Sequence, residues 1–109
     1  MNFDVYQKSA RMTAIYPDVG NNLWYPALGL AGESGEVAEK IKKLYRDAGG
    51  EMTHELRVNL CKELGDVLWY VANIACEAGL HMEDIAIANI RKLADRALRG
   101  TLHGSGDDR

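Results

Sequence analysis

The sequence predicts an all-α domain of four helices, two of them long, and three observations support this fold class. Apolar residues recur at helical spacing, and no segment alternates polar and apolar residues over the length of a strand. Glycine or proline separates the periodic segments. Most connections are short, which favours antiparallel neighbours. The chain has 109 residues, which suggests a single domain, and we assign that domain to residues 1–99.

The first two helices are separated by the longest linker of the chain. Residues 2–15 carry loosely spaced apolar residues, and Pro17 ends this segment. Residues 17–25, PDVGNNLWY, contain the turn formers asparagine and glycine and are predicted to form a loop. Pro26 suits the first position of a second helix, over residues 26–47, and a pair of glycines ends it.

The remaining two helices are joined by a short connection. Thr53 is a suitable N-cap for a third helix over residues 54–78. A fourth helix is predicted over residues 82–98, where an acidic pair in the first turn suits the helix dipole. Residues 100–109, GTLHGSGDDR, are polar and rich in glycine, and we expect a flexible tail.

Composition restricts the functional classes. The net charge of −3 argues against a broad nucleic-acid-binding face. No apolar run reaches about 18 residues, so no membrane span is predicted, and MNFDVYQKSARM lacks the apolar core of a signal peptide. Cys61 and Cys76 would lie about 22 Å apart on one helix and could not pair. We expect both to be free core residues in a cytoplasmic protein.

Two acidic pairs lie beside the apolar stripes of the second and third helices. At about 100° per residue, Glu33 and Glu36 border the stripe of the second helix, and Lys40 follows one turn later on the same edge. Glu63 and Asp66 occupy matching positions on the third helix. Both pairs have the spacing E-x-x-[E/D] with a central glycine. If the two stripes pack antiparallel, the four carboxylates converge beside the core.

Converging carboxylates repel one another unless a cation lies between them. One pair at about 4 Å costs roughly 1–4 kcal/mol, depending on the effective dielectric constant. Mg²⁺ prefers oxygen ligands and keeps waters that phosphate oxygens can replace, and two such ions could activate a water and polarise a phosphoryl group. The predicted cofactor is Mg²⁺, with Mn²⁺ as an alternative. The residues alone also allow the acids to be solvated edges of two amphipathic helices.

The segments GLAGESGEVAEKIKK and KELGDVLWYVANIA resemble the MazG-like nucleoside triphosphate pyrophosphohydrolases. The resemblance covers about residues 24–98, and the later segment NIRKLADR matches a family pattern of Asn, Lys and Arg. It implies a MazG-like four-helix bundle that forms a homodimer or a homotetramer. It also implies that water attacks the α-phosphorus of a nucleoside triphosphate, giving a monophosphate and pyrophosphate in nucleotide-pool housekeeping.

The resemblance also implies roles for individual residues. The four acids, Glu33, Glu36, Glu63 and Asp66, would hold the metal, and one of them would orient or deprotonate the attacking water.

Further residues complete the predicted substrate site. The resemblance implies that Asn73 contacts substrate or orders the metal shell, and that Lys92 and Arg96 bind the triphosphate. From its position one turn beyond the second acid, we add Lys40 as a phosphate ligand. Trp24, in the loop before the acidic helix, is the best candidate to stack on a base.

Two other functions stay open at this point. The chain could be a related pyrophosphatase that acts on phosphoribosyl-ATP or on alarmone nucleotides, because these enzymes share the metal chemistry. It could also be a non-catalytic helical dimer that binds nucleotide or a protein partner. A panel of substrates separates the first possibility, and absence of metal-dependent pyrophosphate release would favour the second.

Overall fold

The computed structural model describes residues 1–109, and these fold into four helices with no strand. The helices are α1 (Phe3–Arg11), α2 (Trp24–Ala48), α3 (His54–Glu77) and α4 (Met82–Leu98). The prediction of an all-α chain with two long helices is therefore confirmed. None of the helices combines the length and the hydropathy that crossing a bilayer requires.

The helix boundaries differ from the prediction mainly on either side of the first linker. α2 begins two residues before Pro26, and the side chain of Asn22 accepts a hydrogen bond from the Tyr25 amide in its first turn at 3.0 Å. α1 ends at Arg11 instead of residue 15. The residues that follow α1 turn back toward α3, where Tyr16 becomes buried.

The packing of α2 against α3 is the most extensive in the chain. Near the start of α2, Gly29 faces the ring of Tyr70 so closely that a Cβ atom would overlap that ring. Further along α2, Lys40 lies 3.9 Å from the carboxylate of Glu63. The partner's number falls as the number on α2 rises, which is the order of contacts that antiparallel helices make.

A buried carboxylate fastens the first linker to the end of α3. The side chain of Glu77 is 1% exposed and accepts hydrogen bonds from the Tyr16 hydroxyl at 2.5 Å and the Gly20 amide at 2.9 Å. Arg11 of α1 donates to the same carboxylate at 3.3 Å and to Asn73 at 3.1 Å. The network therefore joins α1, the linker and α3.

The pKa of Glu77 records the balance of these contacts. Burial by itself raises the pKa, but the hydrogen bonds from Tyr16 and from the Gly20 and Asn22 amides, together with the charge of Arg11, bring it below its ordinary value. Stability from this group is therefore present above the ordinary carboxyl pKa. It is lost as the pH falls through the lowered pKa of the folded state.

The core is small and the molecule is open. Only 11 of the 109 residues are buried, and the main apolar cluster consists of Ala10, Ala72, Ala75 and Met82. The radius of gyration is 16.7 Å, whereas a compact domain of this length has about 13 Å. α4 packs against α1 and makes at most a marginal contact with α2 or α3. The chain thus leaves a large apolar surface uncovered.

One expectation about local structure differs from the observed positions, and a second stays a prediction. Cys61 is exposed instead of lying in the core, although both cysteines are free as expected. Residues 100–109 fold back over the end of α4, and the flexibility that we expect of this tail stays a prediction. Gly100 starts this reversal with a φ of 70°, a conformation that glycine adopts without steric cost.

We expect Gly29→Ala to destabilise the protein by about 1–3 kcal/mol, because the new methyl group overlaps the Tyr70 ring and forces the helices apart. Gly32→Ala is the matched control, since it lies on the same helix with open space around it. That substitution should stabilise the helix by about 0.5–1 kcal/mol. Urea unfolding at a fixed protein concentration measures both changes. Equal effects of the two substitutions would contradict the proposed contact.

We expect Arg11→Met to lower the free energy of unfolding by about 3 kcal/mol at pH 7, because it leaves the buried Glu77 carboxylate without its positive partner. The loss should shrink as the pH falls and Glu77 takes up a proton. Urea unfolding at pH 7 and at pH 3 tests this. The same substitution in a Glu77→Gln background is the control and should cost less. An equal loss in both backgrounds would show that Arg11 acts independently of Glu77.

Candidate metal centre

Three of the four predicted acids come together where α2 packs on α3. Carboxylate oxygens of Glu33, Glu63 and Asp66 all lie within 4.8 Å of one another. Glu63 and Asp66 share one face of α3 because they are three residues apart, and Glu33 approaches them from α2. Glu33 and Glu63 are half-buried, whereas Asp66 is exposed. The site is therefore a carboxylate cluster that opens to solvent on one side.

The fourth acid, Glu36, lies at the rim of this cluster. It is exposed and stands outside the group of three mutually close carboxylates. Its charge nevertheless acts on Glu33, one turn earlier on the same helix. The structure thus brings three acids together and leaves Glu36 beside them.

The pKa of Glu33 is shifted by its burial and by its position among the other acids. Burial raises the pKa of Glu33 above its ordinary value, and the nearby charges of Asp66, Glu63 and Glu36 raise it further. Both causes disfavour the ionised form in the absence of a cation. A positive ion among the oxygens would reverse this effect, because it favours the charged carboxylates.

Lys40 is the basic side chain in contact with the cluster. Its ammonium group lies 3.9 Å from Glu63, and both side chains are partly buried. Sequence analysis predicted Lys40 as a phosphate ligand; the structure places it at the acids, and the phosphate contact stays a prediction. One lysine offsets only part of the negative charge of the four acids.

The donor set suits a hard divalent cation. The cluster contains carboxylate oxygens and no histidine or cysteine, which favours Mg²⁺ or Mn²⁺ over softer metals. Oxygens bound to one Mg²⁺ at about 2.1 Å can lie at most about 4.2 Å apart. The observed limit of 4.8 Å is close to that value. Small side-chain rotations are therefore enough for the three acids to share one ion.

Asn73 lies at the contact between α1 and α3. It is fully buried, and its side-chain oxygen accepts from Arg11 while its amide group donates to the Trp69 carbonyl at 3.1 Å. It exposes no surface to a substrate. Asn73 thus links α3 to Arg11 of α1 through a hydrogen bond, and its role in contacting substrate or ordering the metal shell stays a prediction.

Lys92 and Arg96 are not brought to the carboxylates through helix packing within one chain. Both lie on α4, which packs mainly on α1 and meets α3 only near its first residue, Met82. Their ionic partner in the structure is Asp107, whose carboxylate lies 3.6 Å from Lys92 and 3.8 Å from Arg96. The predicted triphosphate ligands are thus on a separate part of the molecule from the acids.

Trp24 begins α2 and is 62% exposed. Its ring meets Tyr25 edge to face at 6.1 Å, and Tyr25 in turn stacks on Tyr16 at 4.9 Å. Trp69 contacts Tyr70 at 5.0 Å in a similar edge-to-face arrangement. A continuous group of aromatic rings therefore runs from the exposed Trp24 toward the α2–α3 contact.

Tyr70 is the neighbour of the cluster that sequence analysis did not assign to the site. Its ring lies against Gly29, one turn before Glu33. Burial raises the pKa of the Tyr70 hydroxyl, and the charges of Tyr25, Glu33 and Asp66 raise it further. The sequence feature that could have indicated this contact is Gly29, because a glycine inside a helix often marks the close approach of another side chain.

The comparisons with known proteins agree with this geometry. A family model for the MazG nucleotide pyrophosphohydrolase domain matches residues 26–99. The chain is 45% identical, over an alignment of 114 residues that covers both proteins completely, to the Gene 37 protein of Mycobacterium phage L5. No solved structure matches the chain. The family match spans α3, α4 and nearly all of α2, and thus both acidic pairs. The chain belongs to the MazG nucleotide pyrophosphohydrolase domain family.

Proposed function

We propose that the chain is a Mg²⁺-dependent pyrophosphohydrolase that acts on free ribo- or deoxynucleoside triphosphates in the cytoplasm. The observation that carries the proposal is the convergence of Glu33, Glu63 and Asp66 in a member of the MazG family. The products are a nucleoside monophosphate and pyrophosphate, and the role is to clear or balance nucleotide pools. The negative net charge favours small nucleotides over nucleic acids as partners.

The chemistry follows from the oxygen-rich cluster. Glu33, Glu63 and Asp66 would hold Mg²⁺ or Mn²⁺, with Glu36 at the rim as a further ligand, and a bound ion would supply stabilisation of negative charge on the phosphate oxygens. One of the carboxylates orients the attacking water and accepts its proton. The water oxygen bonds to the α-phosphorus, and the bond from that phosphorus to the bridging oxygen breaks. Pyrophosphate leaves with the bridging oxygen.

The remaining residues bind the substrate. Lys40 lies at the edge of the carboxylates, where its charge attracts the phosphate chain. The exposed ring of Trp24 supplies a surface on which a base can stack. Lys92 and Arg96 bind the triphosphate, but α4 packs mainly on α1 of its own chain. A second copy of the chain is therefore needed to bring these two cations to the site.

The exposed apolar surface supports such an assembly. Ile87 and Ile90 lie exposed on α4, Leu64 and Leu68 on α3, and Leu28 on α2. Exposed apolar patches of this extent mark interaction surfaces in soluble proteins. A homodimer or homotetramer would cover these faces and place α4 of one copy over the carboxylates of another.

A substrate panel tests the reaction. Ribo- and deoxynucleoside triphosphates are incubated with Mg²⁺, and release of pyrophosphate is measured separately from release of phosphate. We expect metal-dependent pyrophosphate release from at least one nucleotide. Release from phosphoribosyl-ATP or alarmone nucleotides alone would assign the related activity, and no release from any substrate would support a non-catalytic binding protein.

We expect Glu36→Gln and Glu63→Gln each to lower kcat/KM by at least about 100-fold, because each removes a charged oxygen ligand from the metal site. Loss of outer partners of metal ligands already costs about 10–100-fold. Glu39→Gln is the matched control on α2, since Glu39 pairs with Lys42 away from the cluster. Circular dichroism checks that all three variants keep their helices. Near-normal activity of Glu63→Gln would contradict the carboxylate site.

We expect Ile90→Asp to dissociate the assembly and to lower activity with it, because the side chain is 65% exposed in one chain and would be buried against a second. Ala88→Asp is the control for the mass measurement alone, because residue 88 lies one turn before Lys92 and a new carboxylate there can pair with that lysine. The substitution adds the same charge at an exposed position about 160° around the helix. Analytical ultracentrifugation measures the mass of each variant. An unchanged mass for Ile90→Asp would remove this face of α4 from the interface.

A further inference from the structure

The last ten residues form a closed turn on the end of α4. The Arg109 guanidinium donates to the carbonyls of Thr101 at 3.1 Å, Leu102 at 2.8 Å and Gly106 at 2.6 Å. Arg99, just after α4, donates to the carbonyl of Arg109 at 2.7 Å. The turn is thus held by its own hydrogen bonds and tied to the helix, so it presents its side chains in defined positions.

This turn places the carboxylate of Asp107 beside the two cations of α4, Lys92 and Arg96. Asp107 lies between Lys92 and Arg96, with one carboxylate oxygen 3.6 Å from the lysine and 3.8 Å from the arginine. Arg96 also donates a hydrogen bond to the Asp107 carbonyl. The Arg96 side chain is only 5% exposed, whereas Asp107 is 89% exposed. Asp107 therefore covers the two cations from the solvent side, and its own exposure leaves room for it to move away.

The groups that Asp107 offers are those that a phosphate offers. A carboxylate oxygen and a carbonyl oxygen accept from the same lysine and arginine donors that bind phosphate oxygens. The ion pair between Asp107 and Lys92 is weak, because both groups are exposed and exposed pairs contribute about 0–1 kcal/mol. A triphosphate carries more charge than one carboxylate, so it can displace the turn.

We infer that the C-terminal turn is an internal competitor that occupies the polyphosphate-binding cations of α4 through Asp107 until a polyphosphate ligand displaces it. The inference rests on the proposed function for the identity of the natural ligand. The tether is short, so the local concentration of Asp107 at the cations is in the millimolar range or above. The turn would therefore raise the substrate concentration that the enzyme requires without altering the carboxylate centre.

The test uses inorganic tripolyphosphate, which carries the phosphate chain without a base or sugar. In the full-length ¹⁵N-labelled protein without metal, we expect added tripolyphosphate to make the amides of Thr101–Arg109 mobile, as measured by heteronuclear NOE. Calorimetry should show that Asp107→Asn binds tripolyphosphate about two- to fivefold more tightly than the unaltered protein. Asp108→Asn is the matched control. Asp108 is the next residue along the chain, and its carboxylate pairs with neither Lys92 nor Arg96.

Several outcomes would overturn the inference. These are a turn that stays ordered while tripolyphosphate binds, equal effects of the two aspartate substitutions, and weaker binding by Asp107→Asn, which would make the turn a lid that helps to hold the ligand. No binding of tripolyphosphate to either protein would overturn it as well.

The pyrophosphate-release assay keeps the two proposals apart. Displacement of the turn without cleavage of any nucleotide would refute the proposed function and leave the competition standing. Cleavage of nucleotides with an unmoved turn would refute the competition alone.

Discussion

The close approach of like charges at the α2–α3 contact is the constraint on which the rest of the structure depends. Glu33 on α2 meets Glu63 and Asp66 on α3 within 4.8 Å, and burial together with these charges raises the pKa of Glu33. Packing on either side holds the helices in this position. Gly29 admits the Tyr70 ring one turn before Glu33, and Lys40 meets Glu63 further along α2. Such a local conflict, maintained by surrounding contacts, is typical of a functional site.

The buried Glu77 network supports the same helix from its far end. A charge removed from solvent is costly unless it is paired and hydrogen-bonded, and Glu77 meets both conditions through Arg11, Tyr16 and the amides of the first linker. The linker is therefore a structural part that ties α1 to α3, and it also brings Tyr16 under the aromatic rings that lead to Trp24. α3 thus carries the acids Glu63 and Asp66 near its middle and the anchoring carboxylate Glu77 at its end.

The sequence predicts the features that depend on local periodicity and fails for those that depend on distant partners. Helical spacing places Glu33, Glu63 and Asp66 beside apolar stripes, so their convergence follows once α2 and α3 pack. Asn73 has the same spacing signal, but its burial depends on Arg11, 62 residues away in the sequence, which no local pattern indicates. Cys61 shows the same limit, because its exposure depends on which faces of the helices a single chain leaves uncovered.

The open packing of α4 keeps the proposed phosphate ligands apart from the carboxylates of the same chain. The carboxylates are assembled by contacts within one chain, whereas Lys92 and Arg96 stand on a helix that packs mainly on α1. That helix exposes apolar residues and carries its cations under Asp107. In the proposed assembly, a second copy of the chain would set the position of α4 relative to a set of carboxylates, and the C-terminal turn would set the availability of its cations. The proposed metal ligands and the proposed phosphate ligands thus depend on separate interactions.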